Sequence, residues 1–205
     1  MNKEFIISSL SEKIENPVCE LNYDSDYSLL IAILLSAQTL DKHVNKVTPV
    51  LFSKYPTLLD LKNADIDDLE KIIHPLGLSF NKSKAIKNLA TILIDKYDGI
   101  IPTDRKELAT LPGIGNKSSG VFLVEYHKQN FIPVDTHVKR VSYRLGLTKQ
   151  EDTVDEIEKK LTKFFQQKDL ALTHQRLVLF GRYICTSKKP QCDKCKFNKK
   201  CILTK

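Results

Sequence analysis

Long hydrophobic runs are missing from this 205-residue chain. The longest unbroken one, Leu29-Leu30-Ile31-Ala32-Ile33-Leu34-Leu35, has seven residues, whereas a membrane-spanning helix needs about 20. The N-terminus, Met1-Asn2-Lys3-Glu4-Phe5, lacks the apolar core of a secretory signal. Together these absences predict a cytoplasmic protein. No stretch alternates apolar and polar residues over the length of a strand, which speaks against sheet. Internal repeats and low-complexity segments are absent too. With 28% charged and 41% hydrophobic residues the balance is globular, so wholesale disorder is excluded. Acids run short in one window: from Cys185 to Lys205 seven lysines (188, 189, 194, 196, 199, 200 and 205) face the single Asp193. That window holds +6 of the formal net +7, leaving the remainder of the chain nearly neutral. A basic segment of this kind meets nucleic acid or an anionic surface, or is a solvated terminus.

Helical signals fill the chain instead, predicting an all-α protein of one domain or two small ones. Ser25-Asp26 opens a run to about Gln38, and Asp41 another to about Tyr55. Asp65 starts a helix that stops at His74-Pro75, with Gly77 just beyond. Residues 81–97 put Ile86, Leu89, Ala90, Leu93 and Ile94 on one face. Pro102-Thr103-Asp104 begins a short helix to Leu111, and others are predicted at 116–126, 136–145, 153–166 and 171–184.

Three patterns carry possible chemistry. Cys185, Cys192, Cys195 and Cys201 are spaced C-x6-C-x2-C-x5-C, with Cys19 left over. So lysine-rich a segment builds no core of its own, and a metal centre would organise it. Zinc usually takes two short cysteine pairs, while an iron–sulfur cluster tolerates more varied spacing, and the spacing alone leaves both open. The second pattern is Leu111-Pro112-Gly113-Ile114-Gly115-Asn116-Lys117-Ser118, a tight Gly-x-Gly turn between two helices. Its glycines let a backbone or ligand approach closely, and the following helix start offers free amides to a phosphate. Lys117 sits in that first turn, where the helix dipole disfavours a cation. A neutral amine there suits Schiff-base chemistry; a surface lysine touching phosphate is the plainer reading. The third is Val134-Asp135-Thr136-His137. Asp135 reads as a helix N-cap or a catalytic carboxylate, and His137 as a packed or solvated histidine.

Taken in order, Leu34-Leu35-Ser36-Ala37-Gln38-Thr39, Gly77-Leu78, Leu111–Lys117, Val134–Val138 and the four-cysteine spacing resemble the endonuclease III family over essentially the whole chain. These are helix-hairpin-helix DNA glycosylases with AP-lyase activity. The resemblance implies a two-lobed all-α fold. A six-helix barrel at residues 23–129 would hold the hairpin. A second lobe, 1–22 plus 130–205, would hold one 4Fe–4S cluster on Cys185, Cys192, Cys195 and Cys201. It implies Lys117 as nucleophile and Asp135 as catalytic carboxylate. It further implies Gln38, Leu78, Gly113, Ile114, Gly115, His137, Lys188 and Lys189 as DNA contacts, with Gln38 and Leu78 entering the duplex. The partner would be double-stranded DNA with damaged bases or abasic sites, acted on by a monomer that meets no membrane and joins the nucleoid through DNA. The chain departs from the family's pattern at Asn116 and Ser118, where relatives often carry Arg or Lys and Thr. It departs again at Ser79-Phe80, where many carry an aromatic directly after the leucine. The alternatives are a related adenine glycosylase, which usually lacks the lysine; a non-catalytic DNA-binding module; and a zinc-stabilised interaction protein.

Overall fold

The structure is a computed structural model and describes residues 1–166 and 170–204. Among the described residues the chain is all-α, with short 3-10 turns and no strand, as the missing alternation predicts. The helices are α1 (Lys3–Lys13), α2 (Asp26–Leu35), α3 (Asp41–Lys54), α4 (Leu58–Asn63), α5 (Ile66–Ile73) and α6 (Ser79–Tyr97). They continue as α7 (Arg105–Leu108), α8 (Asn116–Glu125), α9 (Thr136–Arg144), α10 (Val154–Phe165) and α11 (Leu170–Tyr183). No described helix is long and apolar enough to cross a membrane. The chain forms two compact units: Cys19–His127, and Met1–Val18 joined with Lys128–Lys205.

In the Cys19–His127 unit every residue of α2 from Ser28 to Leu35 is buried. A helix with no polar face belongs inside a bundle, and α2 packs against α3, α6 and α8. Ser25 caps it reciprocally with Ser28. It ends at Leu35, not near Gln38, because Ser36 and Ala37 form a turn and Gln38 takes left-handed backbone at φ 58°. α6 packs on α4 and α5, and α7 on α8. α4 is only six residues long, too short to show a period in the sequence.

The other unit is built on α9 and α11, with α1 against α11 and α10 against α9. Gly181 of α11 lies so close to α9 that an added Cβ would meet the Cβ of His137 at 2.9 Å. The core gathers Ile6, Leu10, Val138, Val141, Ile157, Leu161, Phe165, Leu177 and Phe180. It also takes in Phe197, from the middle of the lysine-rich segment, with edge-to-face contacts to Phe5 and Phe180 at 5.8 and 5.6 Å. The segment that reads as coreless is therefore pinned to the core by one aromatic ring.

Among the described residues seven helices begin with a side-chain oxygen on the first-turn amides: Asn2, Ser25, Thr57, Asp65, Asp104, Asp135 and Thr153. Such a cap is worth about 1 kcal/mol. Helices α3, α6 and α8 start instead at Leu40, Leu78 and Gly115 with no side-chain cap.

Gly113 and Gly77 separate two roles of glycine. Both have positive φ, at +77° and +68°, and Gly77, with ψ 162°, lies in an extended region essentially confined to glycine. A Cβ at Gly77 meets nothing within 4 Å, whereas one at Gly113 meets Leu34 Cδ1 at 2.6 Å and Ala85 Cβ at 3.1 Å. Gly77→Ala should therefore cost about 1–3 kcal/mol through its backbone alone. Gly113→Ala adds overpacking and should cost about 2–4 kcal/mol. Urea unfolding of the two variants measures the difference, and equal losses would show that Leu34 gives way freely.

Candidate active site

The hairpin is built from α7, the Pro112–Gly115 turn and α8. The Ile114 amide closes the turn onto the Leu111 carbonyl at 3.0 Å, and the Ile114 side chain is buried. This amends one expectation, since that amide is spent inside the turn and is not free for a phosphate. Gly115 and the first-turn residues Asn116 and Lys117 are exposed, and their amides have no acceptor among the described residues. These open amides and the positive end of α8 are groups that can hold an anion. Asn116 is also held from behind, its carbonyl accepting from Arg105 Nη2 at 3.2 Å. Lys117 is exposed at the head of α8.

Two further loops of the same unit carry predicted DNA contacts. Gln38 and Leu78 are both exposed, and both are non-glycine residues in left-handed backbone, at φ 58° and 52°. Such strain costs about 1–3 kcal/mol per residue and collects at functional loops. Phe80, just beyond Leu78, is exposed with the Lys84 ammonium 3.9 Å from its ring centroid. The apolar surface that the sequence lacks directly after Leu78 thus recurs one residue later.

In the other unit Asp135 is the N-cap of α9. Its Oδ1 accepts from the Val138 amide at 2.7 Å, which leaves Oδ2 without a hydrogen bond among the described residues. Capping fixes the carboxylate's orientation while one oxygen stays available. His137 is half-buried at the crossing of α9 and α11. Its Nδ1 lies 3.1 Å from Arg140 Nη2, an arrangement in which the neutral ring accepts. Burial holds its pKa below the ordinary histidine value, aided by Arg140 and Arg182 and opposed by Asp135. His137 is thus a packing residue as well as a predicted DNA contact.

Cys185, Cys192, Cys195 and Cys201 line one small cavity together with Ile184 and Pro190. No disulfide joins them. Burial pushes the Cys195 thiol up, and the other three sulfurs add to this, so all four are near enough to feel one another. No three described His, Cys, Asp or Glu side chains converge tightly enough to hold a metal ion on their own. Two arginines absent from the sequence reading brace this loop. Arg144, nearly buried, donates to the Thr186 carbonyl at 2.7 Å, the Ser187 carbonyl at 3.2 Å and Cys185 Sγ at 3.3 Å. Arg140 Nε donates to the Cys185 carbonyl at 3.0 Å, and its Nη2 to the Gly181 carbonyl at 2.7 Å. Their spacing along α9 was the available signal, since residues four apart share a helix face.

The lysine-rich segment is less free than its charge count. Lys196 pairs with Glu12, and the Lys200 ammonium lies 5.4 Å from the centroid of the Phe5 ring. Lys188, Lys189, Lys194 and Lys199 are exposed, and Lys205 lies outside the described residues.

An all-α chain with a glycine hairpin before an uncapped helix defines a class. The HhH-GPD superfamily base excision DNA repair protein profile matches residues 31–167. Endonuclease III of Bacillus subtilis is 39% identical over 192 residues, covering 94% of this chain and 88% of that protein. A non-covalent endonuclease III–DNA complex superposes with a TM-score of 0.94 at 40% identity, covering 98% of this chain and 96% of that one. A trapped endonuclease III–DNA covalent intermediate does so with a TM-score of 0.92 at 41% identity and the same coverage. The chain belongs to the endonuclease III family.

The His137 environment gives a direct test. Because the folded pKa is depressed, the unfolded chain takes up the proton first as pH falls below about 6.5. The neutral ring's contribution to stability is complete above that value and is lost on acidification. NMR titration should place His137 below the ordinary histidine value, and His137→Gln should flatten the stability profile just below pH 6.5. A midpoint at or above the ordinary value would contradict the buried, arginine-facing environment.

Proposed function

We propose that this protein is a bifunctional DNA glycosylase and AP lyase that removes oxidised pyrimidines from double-stranded DNA. The observation that carries the reading is an exposed lysine in the first turn of an uncapped helix, directly after a Gly-x-Gly hairpin. It supplies an amine beside a phosphate-binding backbone. The likeness to a trapped covalent endonuclease III–DNA intermediate supports the same route.

A base inside a duplex is out of reach, so the nucleotide is first turned out of the stack, at least cost where the base is damaged. Gln38 and Leu78 enter the space it leaves. The amides of Gly113, Gly115 and Asn116 hold a backbone phosphate, with Ile114 closing the turn beneath them, while His137, Lys188 and Lys189 contact the strand. Neutral Lys117 Nζ attacks C1′, and the bond to the base breaks with its electron pair leaving on the base. Asp135 stabilises the positive charge that develops on the sugar. Loss of the ring C1′–O bond converts the amine adduct to an imine, which acidifies the C2′ proton. Removal of that proton and departure of the 3′ phosphate oxygen complete a β-elimination that cuts the strand 3′ to the lesion. An oxygen nucleophile forms no such imine, so the chemistry requires an amine.

The four cysteines suit a 4Fe–4S cluster. They ring a cavity and no disulfide joins them, whereas tetrahedral zinc needs four thiolates on a single ion. When bound, such a cluster would cross-link the loop that presents Lys188 and Lys189. Arg144 would donate to the Cys185 sulfur, and Phe197 would anchor the loop from within.

Borohydride should trap a covalent adduct with abasic DNA, and Lys117→Ala should give none; an undiminished adduct from that variant would remove Lys117 from its role. Asp135→Asn keeps the cap, since asparagine caps as well as aspartate, and should slow excision by about 100-fold. The purified protein should be yellow-brown, and a colourless protein containing zinc would refute the cluster. Replacing Lys188 and Lys189 by alanine should lower the slope of log K against log salt by about 1 per lysine. Lys196→Ala should leave that slope unchanged, because Lys196 is already neutralised by Glu12.

A further inference from the structure

We infer that Lys82 is a positioning residue that locks the Gln38 loop and the Leu78 loop into one rigid wedge, so that both side chains enter the duplex as a unit. The inference rests on the glycosylase reading above. Lys82 lies in the first turns of α6 and is 5% exposed. Its ammonium donates to the Leu35 carbonyl at 2.9 Å, to Thr39 Oγ1 at 2.9 Å and to the Leu76 carbonyl at 3.3 Å. Thr39 Oγ1 in turn donates to the Leu76 carbonyl at 2.7 Å, closing the ring of contacts. The Lys82 amide holds the Leu78 carbonyl at 2.9 Å. One residue thus grips Leu78 through its backbone and the approach to Gln38 through its side chain.

The charge is what makes this more than packing. Among the described residues no carboxylate pairs with Lys82, and burial pushes its pKa down. A cation buried without an anion is costly and persists where its hydrogen bonds are all made. One of the acceptors, the Leu35 carbonyl, is at the end of α2, a helix with no basic residue in its own last turn. A cation there complements the negative end of the helix dipole. All three acceptors lie on the two segments that carry the strained, exposed Gln38 and Leu78. A buried aliphatic side chain would fill the same space but would specify neither loop's register.

The test compares Lys82→Met with wild type in three readouts. The first is the fluorescence rise of 2-aminopurine placed beside a lesion in duplex DNA, which reports unstacking. The second is lesion excision, resolved into kcat and KM. The third is borohydride trapping on duplex DNA whose base is already absent. The expected result is a reduced fluorescence rise and excision lowered about 10–100-fold, mainly in kcat, because a misplaced group loses rate at this scale. Trapping should fall at least about tenfold less than excision, because little base expulsion remains to be done. Unchanged fluorescence and excision would overturn the inference, as would equal losses in excision and trapping. If circular dichroism shows Lys82→Met to be unfolded, Thr39→Val decides. That variant keeps the lysine and its bonds to the Leu35 and Leu76 carbonyls but removes the hydroxyl that ties Thr39 to both Lys82 and Leu76; the same pattern in weaker form supports the wedge, and wild-type behaviour overturns it. Failure of wild type to form any adduct would defeat the glycosylase–lyase reading, while the fluorescence comparison would still judge the wedge.

Discussion

The last turn of α2 is the fixed point on which the candidate site depends. Leu34 packs into the space that a side chain at Gly113 would occupy, which sets the height of the hairpin and of Lys117 at its end. Leu35 offers its carbonyl to Lys82, which sets the two loops carrying Gln38 and Leu78. Three separate stretches of sequence therefore take their positions from two consecutive buried leucines. Because α2 is apolar on every side, it cannot rotate or slide without exposing part of its surface, and its burial is what makes it a rigid reference.

A second constraint follows from how the helices begin. Most starts carry a side-chain oxygen that closes off the first-turn amides. The uncapped starts of α3, α6 and α8 directly follow the Gln38 loop, the Leu78 loop and the hairpin, all in one unit. At these three starts the stability available from a side-chain cap is forgone, and at α8 the first-turn amides stay open beside Lys117. Asp135 shows the complementary solution: it caps α9 with one oxygen and keeps the other available, so the carboxylate is oriented without being consumed. Helix termini thus serve as scaffolding in one place and as binding groups in another, and the side chain at the N-cap decides between them.

The all-α class was legible because period and capping signals are local. The hairpin, the Val134–His137 segment and the cysteine spacing were visible as patterns because each is contiguous or confined to one short window. What supports them was not visible. Lys82 falls within a stretch that reads as a surface helix, and nothing near it in sequence reveals carbonyls 47 and 6 residues away as its partners. Phe197 looks like an isolated aromatic among lysines until Phe5 and Phe180 close around it. The end of α2 was overestimated by three residues because Ser36-Ala37-Gln38 contains no glycine or proline to mark the left-handed turn. The spent amide of Ile114 was likewise beyond a motif, which specifies residue types and not which hydrogen bonds are already made.

The basic segment changes meaning once its internal contacts are counted. Lys196 pairs with Glu12 and Lys200 lies over the Phe5 ring at the surface, while Phe197 between them is buried and binds the segment to the core. From the opposite side Arg140 and Arg144 fasten the carbonyls around Cys185. Positive charge is thus used twice: arginines, with their planar forks, fix the loop's backbone, and the exposed lysines remain as mobile point charges facing solvent. That division explains why so charged a segment can be ordered at all. The groups that would repel one another are either neutralised by internal partners or held apart on a loop whose shape the arginines and one phenylalanine dictate.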